Sequence, residues 1–163
     1  LGAFAPLSGF MNEDEFVGVV HHLRLPNGQL FPLPVVLDLS ADQVASVTGS
    51  QSVTLLFDDQ EVGELRPESV FRCDKVEVAR KVYGTDDVAH PGVAHFLRMG
   101  DTFVGGEVRL RSRVRFDFSE YELTPAETRA HFEAHGFKTV AGSRGFAPED
   151  WAAAIADLVG PPA

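Results

Sequence analysis

VTLLFDDQEVGELRPESVFRC, residues Val53–Cys73, reads as three short strands, Val53–Phe57, Glu61–Leu65 and Ser69–Cys73. They are separated by Asp58-Asp59-Gln60 and by Arg66-Pro67-Glu68. Gaps this short leave no room for a crossover helix, so the pattern fits a small barrel or sandwich rather than a βαβ unit.

Helical signals flank this β-rich centre on both sides. Upstream, Asn12–Leu23 carries Phe16, Val19, Val20 and Leu23 at helical spacing, and Asn12 with Glu15 makes a capping box. Pro26, Asn27 and Gly28 follow. Asn-Gly suits a tight hairpin with positive φ at both central positions. Val35–Leu39 is the next strand, with Pro32 and Pro34 confining the residues before it to an edge or a bulge. Downstream, Asp74–Tyr83 reads as a helix with Asp74 as its N-cap and Gly84 past its end. GTDDVAHPGVAH, Gly84–His95, comes next; Pro91 and Gly92 break the chain, and Val93, Phe96 and Leu97 suggest one further apolar turn.

The cleanest alternation lies further on. Val108, Leu110, Ser112, Val114, Phe116 and Phe118 alternate with Arg109, Arg111, Arg113, Arg115 and Asp117, a strand with one buried face. Its other face carries the guanidinium groups of Arg109, Arg111, Arg113 and Arg115 over about 20 Å. One reading is an exposed face neutralised by neighbouring acids or guarded by its charge against edge pairing. The sharper reading is a strip for phosphate, sulfate or an acidic partner, which arginine grips bidentately.

The chain closes on a second unit. Thr124-Pro125-Ala126-Glu127 starts a helix that runs to about His135 and stops at Gly136. Phe137–Ala141 reads as a strand, Gly142–Gly145 as a flexible link without the Gly-Lys-Ser/Thr ending of a phosphate loop, and Pro148–Val159 as an amphipathic helix. The expected division is a β-rich domain over residues 1–121 and a helical extension over 122–163. The fold class is α+β, a small β-barrel with flanking helices.

Composition narrows the function. Fourteen lysines and arginines face 24 aspartates and glutamates in 163 residues, a formal net charge of -10 that argues against nucleic-acid binding. Cys73 stands alone, so no internal disulfide is expected and a reducing, cytoplasmic setting fits. No apolar run approaches the roughly 20 residues needed to cross a bilayer, so no membrane partner is expected. The chain opens on Leu1 already inside a motif-like stretch, and an upstream piece is expected.

No catalytic, cofactor or metal residue is assigned. His21 and His22 sit near a helix end, where the dipole favours a cation. His90 and His95 lack the further ligands of a metal centre. His131 and His135 share a helix face, but Phe132 stands where a zinc peptidase helix carries its glutamate. Asp86, Asp87, His90 and His95 cluster in sequence without a nucleophile or an oxyanion site beside them.

Five ordered segments carry a family resemblance: GAFAPLSGFMN (Gly2–Asn12), LRLPNGQLFPLPVVLDL (Leu23–Leu39), VYGTDDVAHPGVAHFL (Val82–Leu97), GDTFVGGEVRL (Gly100–Leu110) and ELTPAETRAHFEAHGFKTV (Glu122–Val140). Together they resemble the amino-terminal part of ATP sulfurylase, the sulfate adenylyltransferase that makes adenylyl sulfate and diphosphate from ATP and sulfate. The resemblance implies a PUA-like pseudo-barrel followed by the start of an α/β nucleotide-binding domain. In that family Lys138-Thr139-Val140 leads into a glutamine-any-arginine-asparagine-proline segment and a histidine pair that hold the ATP phosphates and sulfate. Here the chain reads AGSRGFAPEDW, Ala141–Trp151, with Arg144 as the one approximate match. Adenylyl transfer needs preorganised cations and donors around the reacting phosphate, and these residues do not supply them. The implied role is an interaction or regulatory module whose partner is a catalytic sulfurylase domain or another protein. The alternatives are a subunit of an active sulfate adenylyltransferase and, since PUA-like folds include RNA readers, an RNA- or anion-binding module resting on the arginine strip. Oligomers are compatible with each.

Overall fold

In the computed structural model, residues 3–114, 117, 119 and 122–138 are described. They fall into two compact units, Gly2–Glu122 and a second that begins at Leu123 and is described to residue 138.

The first unit opens with β1 (Gly9–Phe10) and α1 (Glu13–His22). Asn12 caps α1 as the sequence requires: its side chain accepts from the Glu15 amide, while Glu15 accepts from the Asn12 amide, both at 3.0 Å. The Asn-Gly turn departs from expectation. Only Gly28 has positive φ, at 84°. Asn27 instead accepts from the Gln29 amide at 2.9 Å, and a single bridge, Arg24↔Leu30, takes the place of a tight hairpin.

Next come β2 (Leu37–Leu39), α2 (Ala41–Val47), β3 (Val53–Phe57) and β4 (Gln60–Arg72). A two-residue turn, Asp58 and Asp59 at φ 47° and 60°, joins β3 to β4, the geometry that matches the twist of a hairpin. The two strands expected at Glu61–Leu65 and Ser69–Cys73 are one. Pro67 does not end β4 because it sits at a register shift, where a missing amide proton costs the ladder nothing.

Then follow α3 (Lys75–Tyr83), α4 (Pro91–Arg98) and β5 (Thr102–Leu110). Asp74 caps α3 by accepting from the Val76 and Glu77 amides, and Gly84 ends it at φ 73°. Pro91 starts α4 rather than breaking the chain, because the first helical position has no use for an amide proton.

The sheet runs β1-β5-β4-β3, with β2 also pairing β5, all antiparallel. Among the described residues it is open, so the α+β, PUA-like reading holds while the barrel does not close there. β5 sits at its centre. A Cβ on Gly105 would lie 2.1 Å from the Met11 carbonyl oxygen, and one on Gly106 2.0 Å from that of Arg66. The Gly-Gly pair therefore lets β4 bulge on one side of β5 while the start of α1 closes in on the other.

The second unit contributes α5 (Pro125–Ala134), capped by Thr124 and Glu127 and followed by Gly136 at φ 66°. Residues 137 and 138 are not strand. The rest of the strand expected over 137–141 and the helix expected over 148–159 lie outside the described residues.

Candidate functional site

β5 brings Arg109 to the sheet opposite Glu64, and Glu107 opposite Arg66. The strand then ends at Leu110, not at Phe118. The ladder stops beside Val62, the residue skipped in the β3–β4 register, although β4 runs on to Gln60. The Arg111 and Ser112 amides both donate to the Val62 carbonyl, at 2.9 and 3.2 Å, and residues 111–114 are not strand.

The guanidinium groups on this face meet carboxylates. Arg111 bridges Glu61 at 3.1 Å and Glu64 at 2.9 Å. Glu107 lies between Arg109 at 3.4 Å and Arg66 at 3.8 Å. Arg113 lies on the irregular segment, and Arg115 falls outside the described residues. Glu64 is held below the usual carboxylate range by the Ser52 hydroxyl and then by Arg111. An anion would compete with Glu61, Glu64 and Glu107 for these guanidiniums. The face is a ladder of alternating charge, each exposed pair weak and screened by salt.

Of the histidines, His90 has a clear structural role. His90 is the N-cap of α4, its Nδ1 accepting from the Val93 amide at 3.4 Å, with its ring 5.3 Å from that of Tyr83. His21 and His22 are exposed at the end of α1, their rings 6.2 Å apart. The His131 ring on α5 and the ring of His135, its C-cap, lie 4.1 Å apart and tilted by 37°. Among the described residues, no three histidine, cysteine, aspartate or glutamate side chains gather to hold a metal ion. Cys73 is partly buried, and burial raises its thiol pKa.

Two polar contacts were invisible in the sequence. Lys75 is nearly buried, and its Nζ donates to the Leu97 and Met99 carbonyls at 2.8 and 2.6 Å. It thereby caps the carboxyl end of α4 from α3, where a cation opposes the helix dipole. Arg80 grips Asp86 Oδ2 through Nε at 3.1 Å and through Nη2 at 2.7 Å, which holds that carboxyl below its ordinary range.

One cavity is lined mostly by apolar side chains. It has about 310 Å3 and lies where the sheet is open, between β2 with α2 on one side and β3 on the other. Leu37, Leu39, Val47, Leu55, Leu65 and Val104 line it. The one signal for its α2 wall was Ser40-Ala41-Asp42-Gln43, a capping box in which Gln43 Oε1 accepts from the Ser40 amide at 2.9 Å.

Residues 1–113 match the PUA-like domain family. The chain belongs to that family. It is 41% identical over 145 residues to the sulfate adenylyltransferase of Symbiobacterium thermophilum, a match covering 86% of this chain and 36% of that protein. With the sulfate adenylyltransferase of Schizosaccharomyces pombe the identity is 40% over 146 residues, covering 85% and 29%. The chain thus spans about a third of the length of these curated relatives. Among solved structures, the hexameric APS kinase from Thiobacillus denitrificans superposes on 96% of this chain and 28% of its own, with a TM-score of 0.60 at 20% identity, which speaks to the fold. The resemblance to the amino-terminal PUA-like domain of ATP sulfurylase therefore stands on the family match and on these sequence identities.

Proposed function

We propose that this PUA-like chain is a docking and regulatory module of a sulfate adenylyltransferase system, and that transfer of the adenylyl group from ATP to sulfate takes place on a catalytic domain it contacts. The 41% identity over 145 residues to a sulfate adenylyltransferase carries the family link, and Ala141–Trp151, AGSRGFAPEDW, which departs from the segment the resemblance implies for holding ATP phosphates and sulfate, supports placing transfer elsewhere. The polar geometry agrees with it: His90, Lys75, Arg80 with Asp86, and Arg111 with Glu61 and Glu64 each serve a cap or an ion pair within the fold. In this reading residues 1–121 are the docking body, residues 122–163 a diverged extension, and the setting cytoplasmic. The same 41% identity favours a second reading, an integral subunit of the active enzyme.

Sulfate-dependent release of diphosphate from ATP and magnesium tests the proposal. The chain alone should give none, and it should co-elute with the catalytic region of a related sulfate adenylyltransferase. Robust sulfate-dependent turnover by the chain alone would overturn the module reading. Rate enhancement of the catalytic region on mixing would favour the subunit reading.

A further inference from the structure

The open side of the sheet is a candidate for recognition. β3 pairs with β4 on one edge and, among the described residues, with no strand on the other. Its sequence VTLLF has no proline and no charge, the devices that ordinarily guard a sheet edge. Leu56 is 62% exposed, while Val53 and Leu55 are half-buried beside the 310 Å3 cavity. A strand laid along β3 would project alternate side chains to one side, so residues two apart would enter that cavity together.

Charge selects the occupant. From Leu25 to Leu65, the stretch that builds β2, α2, β3 and the first half of β4, there is no lysine, arginine or histidine. It carries Asp38, Asp42, Asp58, Asp59, Glu61 and Glu64. Asp38 is tied to the Gly100 amide at 2.6 Å, and Glu61 and Glu64 to Arg111, whereas Asp42, Asp58 and Asp59 are exposed around the cleft's α2 and β3 walls. An apolar cleft set in acidic surroundings suits an apolar strand with basic ends. A second copy is disfavoured, because each chain carries a formal net charge of -10.

We propose that β3 and the cavity beside it form a docking site for an extended segment of a partner protein, apolar at alternate positions and flanked by lysine or arginine. The proposal rests on the module reading above and supplies its surface. The added strand would satisfy the outward-facing amides and carbonyls of Val53–Leu56, with affinity coming from the backbone ladder and the filled cavity and selectivity from the flanking charges.

The test uses the full chain and a short synthetic peptide of alternating valine and threonine with lysine pairs at both ends. Amide hydrogen exchange and fluorescence anisotropy of the labelled peptide are the two readouts. Peptide binding should slow exchange at the outward-facing amides of Val53–Leu56 by about tenfold or more. Replacing the flanking lysines with glutamates should weaken binding by about tenfold, and so should Leu56→Lys, which alters an exposed side chain. Unchanged exchange across β4 and β5 in that variant would establish that it folds. Three results would overturn the proposal: no protection of β3 at millimolar peptide, equal binding of lysine- and glutamate-flanked peptides, or protection of β3 by concentration-dependent dimerisation without peptide. The assay contains neither ATP, sulfate nor a catalytic domain. Its failure leaves the turnover and co-elution tests standing, and their failure leaves this one interpretable.

Discussion

The two faces of the central strand have different fates. β5 places Phe103 on one face and Val104 on the other, and both are fully buried. On the Phe103 face, α1, α3 and α4 shut the core. Phe103 lies 6.3 Å from Phe16, 5.9 Å from Phe71 and 6.1 Å from Phe96, within a cluster that also buries Met11, Val19, Val78 and Val93. On the Val104 face the buried set shrinks to Leu39, Val47, Leu65 and Val104, and the cavity beside β3 remains. A strand buried on both faces at Phe103 and Val104 thus serves one finished core and one unfinished one, and the proposed docking site lies on the unfinished side.

The sharpest break of this contrast is truncation. Phe103→Ala removes a ring in contact with three others and should cost about 4 kcal/mol. Leu65→Ala, equally buried but next to a space into which its neighbours can relax, should cost about 2 kcal/mol, the low end for such a change. Urea unfolding midpoints at constant slope decide it. Equal losses would mean that the two clusters are packed alike.

Close backbone approach comes next. Gly105→Ala must displace the Met11 carbonyl, 2.1 Å from the new Cβ, and should cost about 3 kcal/mol. Gly49→Ala meets nothing within 4 Å and pays only for its φ of 79°, about 1 kcal/mol. If both variants unfold at the same urea concentration, crowding around β5 is not what requires the glycine.

These positions also mark what sequence can tell. The caps are local, so Asn12 with Glu15, Asp74, Gly84 and Thr124 with Glu127 were readable from residues three or four apart. So was the PUA-like resemblance. The unity of β4 was not, because Pro67 is tolerated only through a bulge that faces Gly105 and Gly106, almost forty positions away. The arginine alternation was visible from Val108 onward, but its carboxylate partners Glu61 and Glu64 reach it from another strand, and the strand ends beside the irregularity at Val62 on that strand. α2 carried its own signal, the Ser40–Gln43 capping box, which seven helical residues with one buried side chain did little to reinforce.

Lys75 tests how firmly the finished side is shut. Lys75→Met keeps the stem and removes the ammonium, leaving the Leu97 and Met99 carbonyls without their donor. The expected cost is about 2 kcal/mol, typical of hydrogen bonds to a charged group in a mostly buried setting. The loss should be accompanied by faster amide exchange at the end of α4. A variant as stable as the parent would mean that water replaces the ammonium there.

The smallest effect belongs to the exposed Arg80–Asp86 pair, and it is read by titration. The guanidinium holds the Asp86 carboxyl below its ordinary range, so the folded-state pKa is depressed relative to the unfolded chain. A depressed acid contributes stability above its unfolded pKa, and that contribution is lost as pH falls through the folded value. Arg80→Gln should therefore return the Asp86 carboxyl resonance to an ordinary aspartate titration. The difference in urea midpoint between parent and variant should be present at neutral pH, shrink with added salt and vanish in strong acid. An unchanged Asp86 titration in the variant would mean that the turn after α3, not the guanidinium, sets that carboxyl. The loop would then owe its shape to the Thr85 hydroxyl, which accepts from the Asp87 amide at 3.1 Å, and to Asp87 itself, which accepts from the Ala89 amide at 2.8 Å.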